Sequence, residues 1–396
     1  MAVRGWGRSV ATATGVAAGA GAAQLGLGYG LGIVAWLPSV DIGGESAWVA
    51  SLAWATWIVA TSVVIGAVAA DRLAPSATTD GSAPDARWQP ESLLTASLWR
   101  LALAAAAAVG GMLIVALIAV PARSATRADT FSPQTIAAGY AMVGAVVGLL
   151  MAIWAVASRA AAVNVIATVG WLWLLAVVAV VDSVLAGTGL TSAQLGVWQI
   201  TADDERYWFR NIYWPGAALS LGSAFIIGAV SAWPAARDAR RRIGAAISGC
   251  VGPVLIAAAY FLAAPRLVGP RAEQLSAHLL APYAVIAGLA GSVLVTAIAQ
   301  RLEVSRQRAD RTDADPPSVA DGDGTGSAGA GDGSGDADDR QAAPVPTQPA
   351  GSPTGSPTGS AAGAAGATGQ APARGTASVS GPGRGRPSAS GGGSPS

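Results

Sequence analysis

Three consecutive carboxylates, Asp203, Asp204 and Glu205, form the densest chemically capable group ahead of the chain's tail. They stand in the polar insert Thr188 to Pro215, where Arg206, Arg210 and the aromatics Trp198, Tyr207, Trp208, Phe209, Tyr213 and Trp214 share the same 17 residues. Oxygen-rich clusters suit hard cations. Carboxylates adjacent on a helix diverge, however, and further ligands are not evident, so no metal is assigned. Thr201 followed three residues later by Asp204 fits a capping box, and the helix dipole favours acids in a first turn. The spacing therefore predicts a short helix from about Ala202 to Tyr213, its aromatics spread over several sides as at the headgroup level of a membrane. Two roles follow for Asp203, Asp204, Glu205, Arg206, Trp208, Arg210 and Trp214 as contact residues: an outward lid or ligand-binding cap, or an interfacial anchor between two spans. The anchor asks less of the residues and is the reading the composition favours.

Other chemistries fail on residue type. All 24 basic residues are arginine, which leaves no phosphate-cradling lysine and no Schiff-base lysine. One cysteine, Cys250, and one histidine, His278, make no intramolecular disulfide and no Cys/His zinc cluster. Ser248 and His278 suggest a serine–histidine pair, but the spans proposed below separate them by roughly 24 Å of depth, beyond the reach of a general base. No catalytic residue and no cofactor is assigned. The formal net charge of +1 carries no message about partners, and nucleic acid is not expected among them.

The elements that must position any site are transmembrane. A spanning helix needs about 20 mostly apolar residues. Eight windows qualify: Val10 to Leu37, Ala47 to Ala70, Leu94 to Val120, Thr135 to Ser158, Ala161 to Leu185, Gly216 to Trp233, Ile243 to Ala264 and Leu279 to Ala299. The runs are continuously apolar and lack the alternation of an outer-membrane barrel. The first could also be read as a signal peptide, with two early arginines and an AGA site, although its apolar run is longer than a signal core. Ionisable residues inside spans are the usual mark of function. Here Asp182 falls near one end of its span and Arg100 and Arg159 at the ends of theirs, leaving no midplane carboxylate to carry protons or sodium. A site made from broken helices and backbone carbonyls would leave no such mark.

Arginine collects on one side of these spans. With the amino end inside, 14 arginines flank the inner helix ends and six the outer ones, and the first outer loop carries Asp41 and Glu45 instead. Positive loops stay cytoplasmic. A plasma-membrane protein with both termini in the cytoplasm is expected, and the 188–215 insert lies outside.

Small residues recur at GxxxG spacing, at Gly15 and Gly19, Gly28 and Gly32, and Gly144 and Gly148, where helix backbones can approach closely. Packing within the chain is the primary use expected of them, and contact with other membrane proteins the second. Pro253 and Pro282 interrupt the last two spans and predict kinks. Residues 1–300 thus form the membrane domain, and residues 301–396 a cytoplasmic tail. The tail opens on the arginine-bearing stub RLEVSRQRADR, continues with nine aspartates between Asp310 and Asp339, and turns to Pro, Thr, Ser and Gly. Such a composition cannot bury enough apolar area to order itself. Within it the tandem SPTG repeat presents Thr354 and Thr358 as candidate phosphorylation sites.

The expected fold is an all-α polytopic bundle of about eight spans with a disordered carboxy-terminal tail. Lysine-free, rich in Ala and Trp and closed by a Gly/Ser/Pro tail, the chain resembles actinobacterial membrane proteins in style, a likeness that rests on no motif. Three function classes stay open. The first is a non-enzymatic membrane component, either accessory subunit or scaffold. Next comes a permease for a small or lipid-like solute, bound along aromatic surfaces such as Trp171 and Trp173. Last is an enzyme acting on lipid-linked substrates through the outer acids.

Overall fold

A computed structural model describes residues 3–38, 44–74, 90–127, 131–187, 194–196, 207–208, 212–266 and 272–314. Its helices are α1 (Val3–Gly30), α2 (Gly44–Leu73), α3 (Pro90–Ala122), α4 (Pro133–Ala157), α5 (Arg159–Leu185), α6 (Trp214–Ala236), α7 (Arg242–Ser248), α8 (Val251–Ala263) and α9 (Ala272–Ala314). A 3-10 turn at Ala239–Arg241 leads into α7, and α7 and α8 form one span interrupted at Gly249 and Cys250, so eight helical segments are long and apolar enough to cross a membrane. The all-α polytopic bundle is the observed fold. Contacts divide the chain into Met1–Val319 and Ala320–Ser396. The second unit, with Thr354 and Thr358, lies outside the described residues.

Side chains sort by solvent as a bilayer requires. Leu98, Val109, Leu113, Val146, Leu150 and Ile226 are exposed on the outer faces of their helices, where lipid tails would cover them. At the centre stands α2, apolar all round and buried on every side, with Trp48, Trp54 and Trp57 fully enclosed. Around it α1 to α4 form a rhomb, in which the first helix packs on the second and third, and the second and third each pack on the fourth. Spans five to eight repeat this pairing: α5 on α6 and on α7–α8, and α6 and α7–α8 on α9. Each half starts at the same side of the membrane, the arrangement of a parallel repeat. Both halves also close the second span against the fourth through glycine. A Cβ on Gly144 would stand 2.5 Å from the Thr56 carbonyl oxygen and one on Gly148 2.6 Å from that of Ala60. Gly291 meets the Phe225 backbone of α6 in the same way. The Gly144/Gly148 spacing is therefore spent inside the chain, whereas Gly15 and Gly19 of α1 have nothing within 4 Å.

Three elements depart from the sequence reading. The first span ends at Gly30 rather than Leu37, because Gly32 takes φ 68° and closes a Schellman cap. Ile33 N–H donates to the Gly28 carbonyl (2.9 Å) and Gly32 N–H to that of Tyr29 (3.1 Å). The helix expected over Ala202 to Tyr213 is overturned at its carboxy-terminal half: β1 (Tyr207–Trp208) pairs antiparallel with β2 (Ile212–Tyr213), Tyr207 opposite Tyr213. Tyr, Trp and Ile prefer extended backbone, and Pro215 in the first turn of α6 starts a new helix at Trp214. Lastly, α9 passes Pro282 and the 300/301 boundary without a break and ends at Ala314.

Candidate functional site

The break in the seventh span is where local sequence most directly opposes helix geometry. In Ser248-Gly249-Cys250-Val251-Gly252-Pro253 two glycines weaken the helix, and Pro253 has no N–H to give the Gly249 carbonyl four residues back. Buried away from water, that carbonyl and its neighbours need other partners. Asn164, fully buried on α5, supplies them. Its Nδ2 donates to the Gly249 carbonyl at 3.3 Å and to Ser231 Oγ of α6 at 3.4 Å, while its Oδ1 accepts from Gly252 N–H at 2.8 Å. From α9, Ser292 Oγ donates to the Ala246 carbonyl at 2.5 Å and accepts from Gly249 N–H at 3.3 Å.

The backbones converge on this point. A Cβ at Gly228 or at Gly249 would overlap the Gly288 carbonyl oxygen, and one at Gly252 would overlap Thr168 Oγ1. Three spans thus meet around a discontinuous fourth, whose exposed backbone groups are held by two neutral side chains. Asn164 stands five residues into α5 and Gly249 seven beyond Arg242, so the clasp lies roughly 8 to 10 Å inside the arginine-rich end of the spans. At that end Arg242 closes the segment, donating from Nε to the Ala236 carbonyl (3.2 Å) and pairing through Nη2 with Glu303 of α9.

A second polar centre joins α1, α2 and α5. Gln24 Nε2 donates to Ser62 Oγ (3.1 Å), and its Oε1 accepts from Trp173 Nε1 (2.9 Å) and Thr61 Oγ1 (3.2 Å). Trp173 is tilted against Trp54 with ring centroids 5.1 Å apart. On the side away from the arginines, Glu45 takes Arg127 through both carboxylate oxygens at 2.5 and 2.6 Å, and the guanidinium lies 4.8 Å from the Trp48 ring. Neither amide carries the charge that marks an intramembrane site in sequence. A neutral Asn or Gln within an apolar run would have been the signal.

The residues singled out from sequence fare differently. Asp203, Asp204, Glu205, Arg206 and Arg210 lie outside the described residues, and of Trp208 the structure gives the strand but not the side chain. Trp214 opens α6 and is 55% exposed, while its neighbour Tyr213 is buried, its N–H donating to Ser276 Oγ of α9 at 3.1 Å. Leu195, also from the insert, is buried, and its carbonyl accepts from the Tyr260 hydroxyl of α8. Leu195 and Tyr213, among the described residues of the insert, are therefore seated against α8 and α9. There His278 meets the Tyr260 ring edge-on at 4.6 Å, with its Nδ1 2.8 Å from the Gln274 carbonyl. Buried Nε2 atoms of Gln274 and His278, one turn apart, have no hydrogen-bond partner among the described residues.

Ser248 takes no part in this seat; its hydroxyl donates to the Ala245 carbonyl at 2.7 Å, one turn back on its own helix. Asp182 is exposed. Among the described residues no three His, Cys, Asp or Glu side chains gather as metal ligands. An apolar groove of about 380 Å³ lies between α4 and the end of α8, lined by Phe131, Ile136, Gly139, Tyr140, Val143 and Leu262 among others. Comparison with family models, with curated proteins and with solved structures finds no match to the chain.

Proposed function

We propose that this multi-pass membrane protein is a non-enzymatic membrane component, an accessory subunit or scaffold that presents a rigid eight-span body to other membrane proteins. One observation carries the reading: the amides of Gln24 and Asn164, inside the spans, are used by the chain itself. Gln24 and Asn164, the two side-chain amides described above, have their hydrogen bonds within the bundle, and the glycine contacts bring helix backbones together without intervening side chains. Interiors packed this closely are stiff. The exposed small-residue face of α1 at Gly15, Gly19 and Gly26 is where a partner helix could approach, since nothing lies within 4 Å of any of the three.

The test is native electrophoresis of membranes solubilised in mild detergent, with the tagged chain expressed at its natural level. A component migrates in a particle of fixed composition, and deleting the chain shifts a second subunit to smaller size. A chain that migrates alone, and that confers solute uptake on proteoliposomes, would overturn the reading.

The interrupted seventh span favours a second reading, a permease for a small or lipid-like solute. Discontinuous spans are where transporters place backbone groups against their cargo. The groove between α4 and α8 adds an apolar surface for a lipid-like solute. Flux across proteoliposomes that is abolished by Asn164→Leu in a folded protein would establish it.

A further inference from the structure

The arginine-rich end of the second half has a composition that the bundle's own packing does not account for. In the turn between α6 and α7, Asp238 caps the 3-10 segment, accepting from Arg240 N–H at 3.0 Å and pairing with Arg241 at 3.2 Å. Arg237 lies against the Trp233 ring, 4.9 Å from its centroid. The Arg242–Glu303 pair ties this turn to the extension of α9 and brings Arg306, three residues beyond Glu303 on the same side of the helix, beside it, while Arg301 lies on the far side of α9. Guanidinium groups of Arg240, Arg301 and Arg306 are exposed and pair with no acid among the described residues.

Interleaved with these cations are large apolar side chains turned outward. Ile243 is 82% exposed, Leu302 48% and Val304 40%. A soluble polyanion would match the charges but leave these residues in water. At a bilayer surface both requirements are met together, because apolar side chains enter the acyl boundary while arginines reach the headgroups. We infer that the junction of the α6–α7 turn with the α9 extension is a binding site for the anionic phospholipid headgroups of the surrounding leaflet. Arg240 and Arg306 hold the phosphate at the turn, Arg301 reaches a headgroup from the far side of α9, and Ile243, Leu302 and Val304 sit among the first acyl carbons. Glu303, one turn from Arg306 on the same side of α9, repels a phosphate held there. It neutralises Arg242 in the lipid-free state, so a bound phosphate works against the pair that ties α7 to α9.

The experiment titrates the full-length protein in neutral detergent with phosphatidylglycerol and with phosphatidylcholine of the same chains. Thermal stabilisation and lipid retained in native mass spectrometry are the readouts. Phosphatidylglycerol should bind at least about tenfold more tightly, a preference that shrinks as salt rises. Arg240→Gln with Arg301→Gln and Arg306→Gln should remove most of that preference. Arg8→Gln with Arg72→Gln and Arg159→Gln, which takes the same charge from the same end of other spans, should change it by less than about threefold. Glu303→Gln should tighten phosphatidylglycerol binding severalfold, and serves as the readout if the triple variant fails to fold. Equal affinity for the two lipids, an equal loss in the control triple, or weaker binding by Glu303→Gln would overturn the site. Displacement of the lipid by an equal concentration of inorganic phosphate would assign it to a soluble anion instead.

Discussion

Asn164 shows how a single neutral side chain can hold a span that its own sequence would break. Gly249 and Gly252 each expose a backbone group that the helix cannot satisfy, and one amide answers both, with Ser231 as a third partner. Asn164→Leu should therefore destabilise the bundle by about 1 to 3 kcal/mol, the cost of leaving buried polar groups unmade. Thermal unfolding in detergent measures it, and a change within error would mean that the break does not depend on Asn164. Glycines give a paired test. Gly148→Leu forces a side chain into the Ala60 backbone and should cost about 1 to 3 kcal/mol or more. Gly15→Ala and Gly19→Ala meet open space and should stay within about 0.5 kcal/mol. The GxxxG spacings look alike in sequence; which one is used depends on which face another helix covers, and that is a property of the assembled bundle. Asn164 and Gln24 were legible as residues but not as a site, because their partners lie 37 to 149 positions away along the chain.

At the scale of elements, continuous apolar runs located all eight spans, since hydropathy acts on whole windows and is insensitive to the end residues. Boundaries followed finer chemistry. Gly32 with its positive φ stopped α1 early, and a helix-favouring stub of Leu, Glu, Gln and Arg let α9 run on to Ala314. The outer insert misled because a capping box signals where a helix could begin and says nothing of whether the following Tyr, Trp and Ile residues will keep it. Tyr213 now appears as the pin of this insert, buried and bonded to Ser276. Tyr213→Ala should cost roughly 3 kcal/mol or more and open the 188–215 segment to protease, whereas Asp203→Asn with Asp204→Asn and Glu205→Gln should leave cleavage unchanged. Strong protection of the parent by millimolar calcium, absent in the triple variant, would instead make the acids a cation site.

The whole molecule joins two rhombs of similar pairing through Ser158, the one residue between α4 and α5, whose hydroxyl accepts from Ala161 N–H at 3.3 Å. Eight spans return the chain to the side on which it started, so the location of its two ends is a single question with one answer. The expectation from sequence, with 14 arginines flanking one side and six the other, is that the richer side faces the cytoplasm. That expectation draws on the helix ends seen here, because Arg8, Arg72, Arg159, Arg237, Arg240, Arg241 and Arg242 fall at or beside helix ends on one side of the bundle. Reporter fusions after Ala83 and Asp310 should read cytoplasmic, and fusions after Gly44 and near Gln199 external. A further fusion separates span count from orientation. If the first span were removed as a leader, a tag at the amino end would be lost while the later reporters kept their signs. The packing argues for retention, since Gly21 lies against Ile114 and Ser62, and Gln24 against Ser62, Thr61 and Trp173. The amino-terminal tag should therefore stay with the mature, membrane-inserted protein and face the cytoplasm. An external reporter at Asp310 would reverse the assignment of every loop, and would place the arginine-rich face, with its Arg242–Glu303 pair, outside the cell.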